Sequence, residues 1–198
     1  AEGGTLFIQR HGKALREMLF SDVELSYVSN NISLLSSHMI VDPQKMALRT
    51  ATDTTDGDLL LIVNGLDSTG YRAASTGFTG TITAFMLNRP QQIVAPSTFT
   101  TDGDFIDVAV DLDTIYTVVK RTIGGAVKYY LEIFDDDRTT DCGIQYYNNP
   151  VAPDQARPGG TSAGYLAHLN GKTVKIIRDD IVDTDRTVSD GIVALGGT

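Results

Sequence analysis

The sequence predicts a mainly β protein: an antiparallel, propeller-like or sandwich body with one short helix and a small C-terminal β-barrel. Three observations point there. The first is a recurring turn. Thr55-Asp56-Gly57-Asp58 opens the apolar run Leu59-Leu60-Leu61-Ile62-Val63, and Thr101-Asp102-Gly103-Asp104 opens Phe105-Ile106-Asp107-Val108-Ala109-Val110. A blurred echo follows at Thr139-Thr140-Asp141-Cys142-Gly143, and Ser189-Asp190-Gly191 precedes Ile192-Val193-Ala194-Leu195. Asp-Gly between strand-like runs marks a turn, because Gly tolerates positive φ and Asp bonds its own local backbone. A spacing of about 40–50 residues matches one propeller blade or one small antiparallel sheet. The second observation is that the apolar runs are short and bounded by Gly, Pro, Asn and Asp. The third is that no long amphipathic helix is present, so an alternating βαβ fold is not expected.

Taken in chain order, residues 5–10 read as a strand with Leu6 and Ile8 on one face, His11-Gly12-Lys13 as a turn, and 14–20 as the returning strand. Residues 31–39 read as the short helix, capped by Asn30 or Asn31, with Leu34, Leu35 and His38 at helical spacing. Asp42-Pro43 stops it. Strands are then predicted at 46–52, 58–64, 80–87, 91–95, 104–110, 114–121 and 126–134. The last two flank Gly124-Gly125 and form a hairpin. Residues 64–79, rich in Gly, Ser and Thr, read as a long loop. The predicted organisation is a β body over 1–143, an irregular linker over 144–163 and a barrel module over 164–198, possessing a strand at 172–178 and short strands over 181–195.

Composition narrows the function classes. Sixteen basic residues stand against 25 acidic ones, a formal charge of −9. Phosphate contact needs Lys and Arg, so a surface that coats nucleic acid is not expected. A negative channel wall past which DNA slides without sticking remains compatible. One cysteine, Cys142, forbids an internal disulfide and a cysteine-only zinc site. No apolar run is long enough to span a bilayer as a helix. The opening Ala1-Glu2-Gly3-Gly4 has neither the basic region nor the apolar core of a signal peptide, and reads as the start of a processed chain or of an excised piece.

Several motifs touch on chemistry. Arg10-His11-Gly12 after a first strand resembles the phosphate-binding tripeptide of the histidine phosphatases, but that chemistry needs an α/β sheet and further Arg and His residues. Gly160-Thr161-Ser162-Ala163-Gly164 has the spacing of a nucleophile elbow, yet it follows a loop, and no histidine comes after His168. Asp53, Asp56 and Asp58, and Asp135, Asp136 and Asp137, lack the alternating pattern of a calcium loop and read as solvated turn carboxylates. His11, His38 and His168 sit in dissimilar contexts. Tyr129, Tyr130, Tyr146 and Tyr147 are of the kind that a carbohydrate platform uses, though tryptophan is absent. The reading is therefore of a non-enzyme with no catalytic, cofactor-binding or metal-ligating residue.

In collinear order, many segments resemble one family. Thr5-Leu6-Phe7-Ile8-Gln9 through Leu15-Arg16-Glu17, Ile32-Ser33-Leu34-Leu35-Ser36-Ser37-His38, Gly80-Thr81-Ile82-Thr83-Ala84 through Arg89-Pro90-Gln91-Gln92-Ile93-Val94, Thr101-Asp102-Gly103-Asp104-Phe105, Ile115–Arg121, Tyr130-Leu131-Glu132 and Gly164–Val174 are similar to motifs of bacteriophage tail nozzle and tail-hub proteins of the tail tubular protein B kind. The last of these opens a barrel likened to the FCCH half-domain of ubiquitin-activating enzymes. Tyr116 stands where the family carries a strand tryptophan, and the family's members are longer. The resemblance implies a virion structural protein: a subunit of a ring, commonly sixfold, that contacts copies of itself and other tail and adaptor proteins while DNA passes without specific binding. The residues alone leave a β-rich glycan- or protein-binding module as the alternative, and a hydrolase of the histidine-phosphatase type behind it.

Overall fold

The computed structural model describes residues 4–10, 14–51, 57–66, 77–123, 125–135, 141, 169–175, 177–178, 181–182 and 185–190. The chain divides into two compact units, one of residues 1–121 with 129–141 and one of residues 122–128 with 142–198. The protein is mainly β and its strand pairs are antiparallel.

In the first unit β1 (Thr5–Ile8), β2 (Leu15–Ser21) and β3 (Ser26–Asn31) make an N-terminal sheet in the order β1-β2-β3. A central meander follows, β4 (Pro43–Arg49), β5 (Asp58–Asn64), β6 (Ile82–Asn88) and β7 (Ile93–Phe99), each strand paired with the next. The third sheet holds β8 (Asp104–Asp111), β9 (Thr114–Ile123) and β10 (Ala126–Ile133) in the order β10-β9-β8.

The two inner strands of the central sheet, β5 and β6, are buried on both faces, and their sequence explains why. Successive side chains of a strand point to opposite faces. Leu61 and Val63 of β5 and Ile82 and Ala84 of β6 pack on one side against Phe105, Val108, Ile115 and Val119 of the third sheet. Leu60, Ile62, Phe85 and Leu87 pack on the other side against Leu15 and Ile40, with Leu6, Ile8 and Ile32 around them. A strand with an alternating pattern would leave polar groups in one of these two cores, so β5 reads as an unbroken apolar run. Full burial of each such side chain contributes roughly 1.5–3 kcal/mol.

Asn64 ends β5 and is fully buried. Its Oδ1 accepts from the backbone N–H of Val41 at 2.9 Å, and the two hydrogens of its Nδ2 are shared among Met39 O at 3.0 Å, Thr81 Oγ1 at 3.1 Å and Thr83 Oγ1 at 2.9 Å. Thr83 Oγ1 donates in turn to Met39 O at 2.6 Å. One amide thus pins the crossing segment 39–41 to the central sheet and satisfies polar groups that water cannot reach.

The first unit is built of antiparallel sheets that pack against one another, as expected of a β-rich body. The short helix expected over 31–39 is absent. Residues 32–36 are turns, and only Ser37–Met39 forms a single 3-10 turn. Side chains have captured the backbone there: Asn31 Oδ1 accepts from Ser33 N at 3.1 Å, and Ser33 Oγ accepts from Leu15 N at 2.9 Å. Such local bonds compete with helix formation. The strand β3 was not foreseen, and the strand expected at 91–95 runs instead over Ile93–Phe99, through Pro96, as an outer strand where a missing N–H is tolerated. In the second unit β11 (Thr173–Val174) pairs with β14 (Arg186–Thr187), and β12 (Ile177–Arg178) with β13 (Ile181–Val182). The strand expected over 172–178 is therefore broken, and the described residues form no closed barrel. The predicted linker 144–163 lies outside the described residues.

Asn64→Ala leaves the Val41 N–H buried without its partner and opens a polar void. We expect a loss of about 2–3 kcal/mol in urea unfolding, with an unchanged m-value.

Candidate interaction surfaces

The recurring turn is a structural device in this molecule. Gly103 has φ +153°, and a Cβ there would strike the backbone carbonyl of Lys120. A Cβ on Gly57 would stand 2.9 Å from Met86 Cγ and 3.1 Å from Leu87 O. Both glycines thus admit the close approach of a neighbouring strand. Each turn is also clamped by an arginine. Asp58 accepts from Ala51 N at 3.0 Å and from Arg89 Nη1 at 3.1 Å, while Arg89 Nε donates to Glu17 at 2.7 Å. Arg121 is almost wholly buried, its side chain 7 % exposed. It pairs with Glu132 through two bonds of 2.8 and 2.9 Å and donates to Asp102 O at 2.8 Å. Asp141 lies 3.7 Å from Arg121 Nη1 and accepts from Asp102 N at 2.9 Å. Asp104 faces Lys120 at 3.6 Å. Asp53 and Asp56 lie outside the described residues.

Among the described residues, the others singled out by sequence are not gathered into one site. Arg10 follows β1 as an exposed residue, whereas His11 and Gly12 lie outside the described residues, as do Gly160–Gly164, Cys142, His168, Tyr146 and Tyr147. His38 stacks edge-on against Phe78, ring centres 5.9 Å apart. Asp135 is described and Asp136 and Asp137 are not. Among the described residues no group of three or more His, Cys, Asp or Glu could hold a metal ion. Among them, too, no helix is long and apolar enough to cross a membrane, which says nothing about a membrane β-barrel.

What the fold does display is apolar surface in organised places. The outer strand β10 alternates Tyr129, Leu131 and Ile133 with Tyr130 and Glu132. Periodicity alone would bury the aliphatic set and expose the acid. The molecule does the reverse: Tyr129, Leu131 and Ile133 are exposed, Leu131 by 72 %, and Glu132 turns inward to Arg121. A one-residue shift would flip every side chain to the other face, and it would break the partly buried Arg121–Glu132 pair. Tyr116 and Val118 of β9, half-buried, stand on the same outward face. A contiguous apolar sheet face of this kind marks an interaction site or an aggregation hazard.

A second place is the tip of the β2–β3 hairpin. Val23 is 95 % exposed and Leu25 79 %, with Phe20 and Tyr27 exposed below them. Leu25 also has φ +47°, a left-handed conformation that an L-residue with a bulky side chain adopts at a cost of about 1 kcal/mol or more. A third is a groove of about 230 Å3 between two outer strands, lined by Leu6, Phe7 and Ile8 of β1 and by Pro43, Lys45 and Met46 of β4, among others. Sequence reasoning missed all three. The tip could have been flagged, because Val23 and Leu25 occupy a turn where Gly or Asn is preferred.

Against known proteins, no family model matches the chain and no curated protein matches it significantly.

The Arg121–Glu132 pair separates two kinds of outcome. Arg121→Met strands a partly buried carboxylate and is expected to cost about 3 kcal/mol or more in denaturant unfolding, whereas Arg121→Met with Glu132→Leu recovers most of the loss.

Proposed function

We propose that the chain is a structural subunit of a bacteriophage tail, a nozzle or hub ring component that forms part of the DNA exit channel, and that it is not an enzyme. The observation that carries this reading is the outward apolar face of β10 and β9, where Tyr129, Leu131 and Ile133 stay exposed while Glu132 is drawn inside. Subunits of an assembly keep such faces for their neighbours, and an apolar centre with a polar rim is the usual anatomy of the contact. Three further facts support the reading. The body is a stack of antiparallel sheets cross-tied by buried polar bonds, which suits a rigid building block. The collinear segments that resemble tail nozzle and hub proteins fall, where they lie among the described residues of the first unit, on its strands and turns. The net charge of −9 suits a channel wall that DNA passes without adhering. In this function the chain sits in the virion, in contact with copies of itself around a ring and with other tail and adaptor proteins above and below.

The alternative, a β-rich module that holds a glycan or a protein, draws on the exposed ring of Tyr129, since an aromatic face is what a sugar ring stacks on.

Light scattering and negative-stain electron microscopy of the purified chain test the proposal. The expected result is a closed ring with an open centre. Leu131→Lys should disperse the ring while changing subunit stability by no more than about 0.5 kcal/mol, as befits a residue outside the core. A stable monomer at all concentrations that binds a glycan on an array contradicts the structural reading.

A further inference from the structure

We infer that copies of this chain engage head to tail, the β2–β3 hairpin tip of one copy seating Val23 and Leu25 in the β1–β4 groove of the next. This rests on the assembly reading and deepens it by naming the contact.

The knob is costly in two independent ways. Val23 and Leu25 are almost fully in water, and Leu25 is held at φ +47°. Asn or Gly at position 25 would relieve both problems, since each populates the left-handed region readily. A sequence that keeps a leucine there is spending stability on an exposed apolar side chain. The tip is also pre-shaped. Phe20 and Tyr27 are opposite each other in the β2–β3 register, and their rings meet edge to face with centres 5.4 Å apart. Ser21 Oγ accepts from Glu24 N at 3.3 Å across the turn. A braced tip loses little freedom on docking.

The hole matches in character and charge. It is an open groove lined by Leu6, Ile8, Pro43 and Met46, apolar side chains against which Val23 and Leu25 can lie. The tip carries Asp22 and Glu24 on either side of Val23. The groove carries Lys45, whose side chain is more than half exposed and whose ammonium group is only loosely paired with Asp107 at 3.7 Å. Opposite charge at the margin of an apolar seat orients the encounter. It does so even though two chains of net charge −9 repel at long range.

The same chain cannot satisfy itself. The tip projects beyond the Ser21–Ser26 pair of the β2–β3 ladder, whereas the groove lies along β1, on the far side of β2 from β3. Knob and hole at different places on one surface give a heterologous contact, which closes into a ring or runs on as a filament.

Single-cysteine chains test this in a Cys142→Ser background: Leu25→Cys in one and Met46→Cys in the other, mixed and treated with a short bismaleimide. The expected result is a cross-linked pair that forms only in the mixture. Leu25→Asn is a companion variant, expected to unfold at the same or a higher temperature while assembling at least tenfold more weakly. Cross-links between two Leu25→Cys chains, or none while light scattering still shows a ring, overturn this contact and leave the ring standing. A chain that is monomeric at every concentration overturns the assembly reading itself, and this contact with it.

Discussion

A strand covered on both faces has no place for a polar side chain that lacks a hydrogen-bond partner, and β5 carries no polar side chain at all between Asp58 and Asn64. That constraint organises the first unit. Because Leu60 and Ile62 demand one cover and Leu61 and Val63 another, the chain must supply a sheet on each side of the central meander. The N-terminal strands provide one and β8–β10 the other. Asn64, at the edge of this dry zone, converts the boundary into a fastening by gripping the segment that crosses from the first sheet into the second. Residues that could have been exposed loop are thereby drawn into the core, Ile40 and Val41 among them.

Charge is used in the same way. The two Asp-Gly turns lead into β5 and β8, and each is tied by an arginine arriving from elsewhere: Arg89 links Asp58 to Glu17 of the N-terminal sheet, and Arg121 links the Asp102 turn to Glu132 and Asp141. Breaking the Arg121–Glu132 pair, whose arginine is almost wholly buried, costs more than forming it gains, so that tie serves specificity more than net stability. In β10 the register sets aliphatic side chains outward. The same interaction that closes the turn therefore creates the surface on which the proposed assembly depends.

Much of the scaffold was legible in the sequence. The apolar run of β5, the turn before β8 and the hairpin of β9 and β10 announce themselves through turn chemistry and strand-forming residues. The region from Ser26 to Met39 was not legible, for two reasons. Ser-Tyr-Val-Ser-Asn-Asn becomes a strand because β2 offers it a ladder, not because its residues prefer one. The helix-like spacing of Leu34, Leu35 and His38 is defeated by the hydrogen bonds of Asn31 and Ser33, and the two leucines end up in solvent. The surfaces were harder still. Alternation in β10 tells which side chains share a face, but not which face is inward. Only the position of Arg121 decides that, and it is a tertiary fact.

Amide hydrogen exchange of the dilute chain, resolved by strand, tests the central claim most directly. If the doubly covered meander is the foundation, β5 and β6 exchange slowest, at the limit set by global unfolding, while β1, β3, β7 and β10 exchange earlier through local opening. If β5 and β6 instead exchange as fast as those outer strands, the core does not lie where this account puts it, and the surfaces derived from it fall as well.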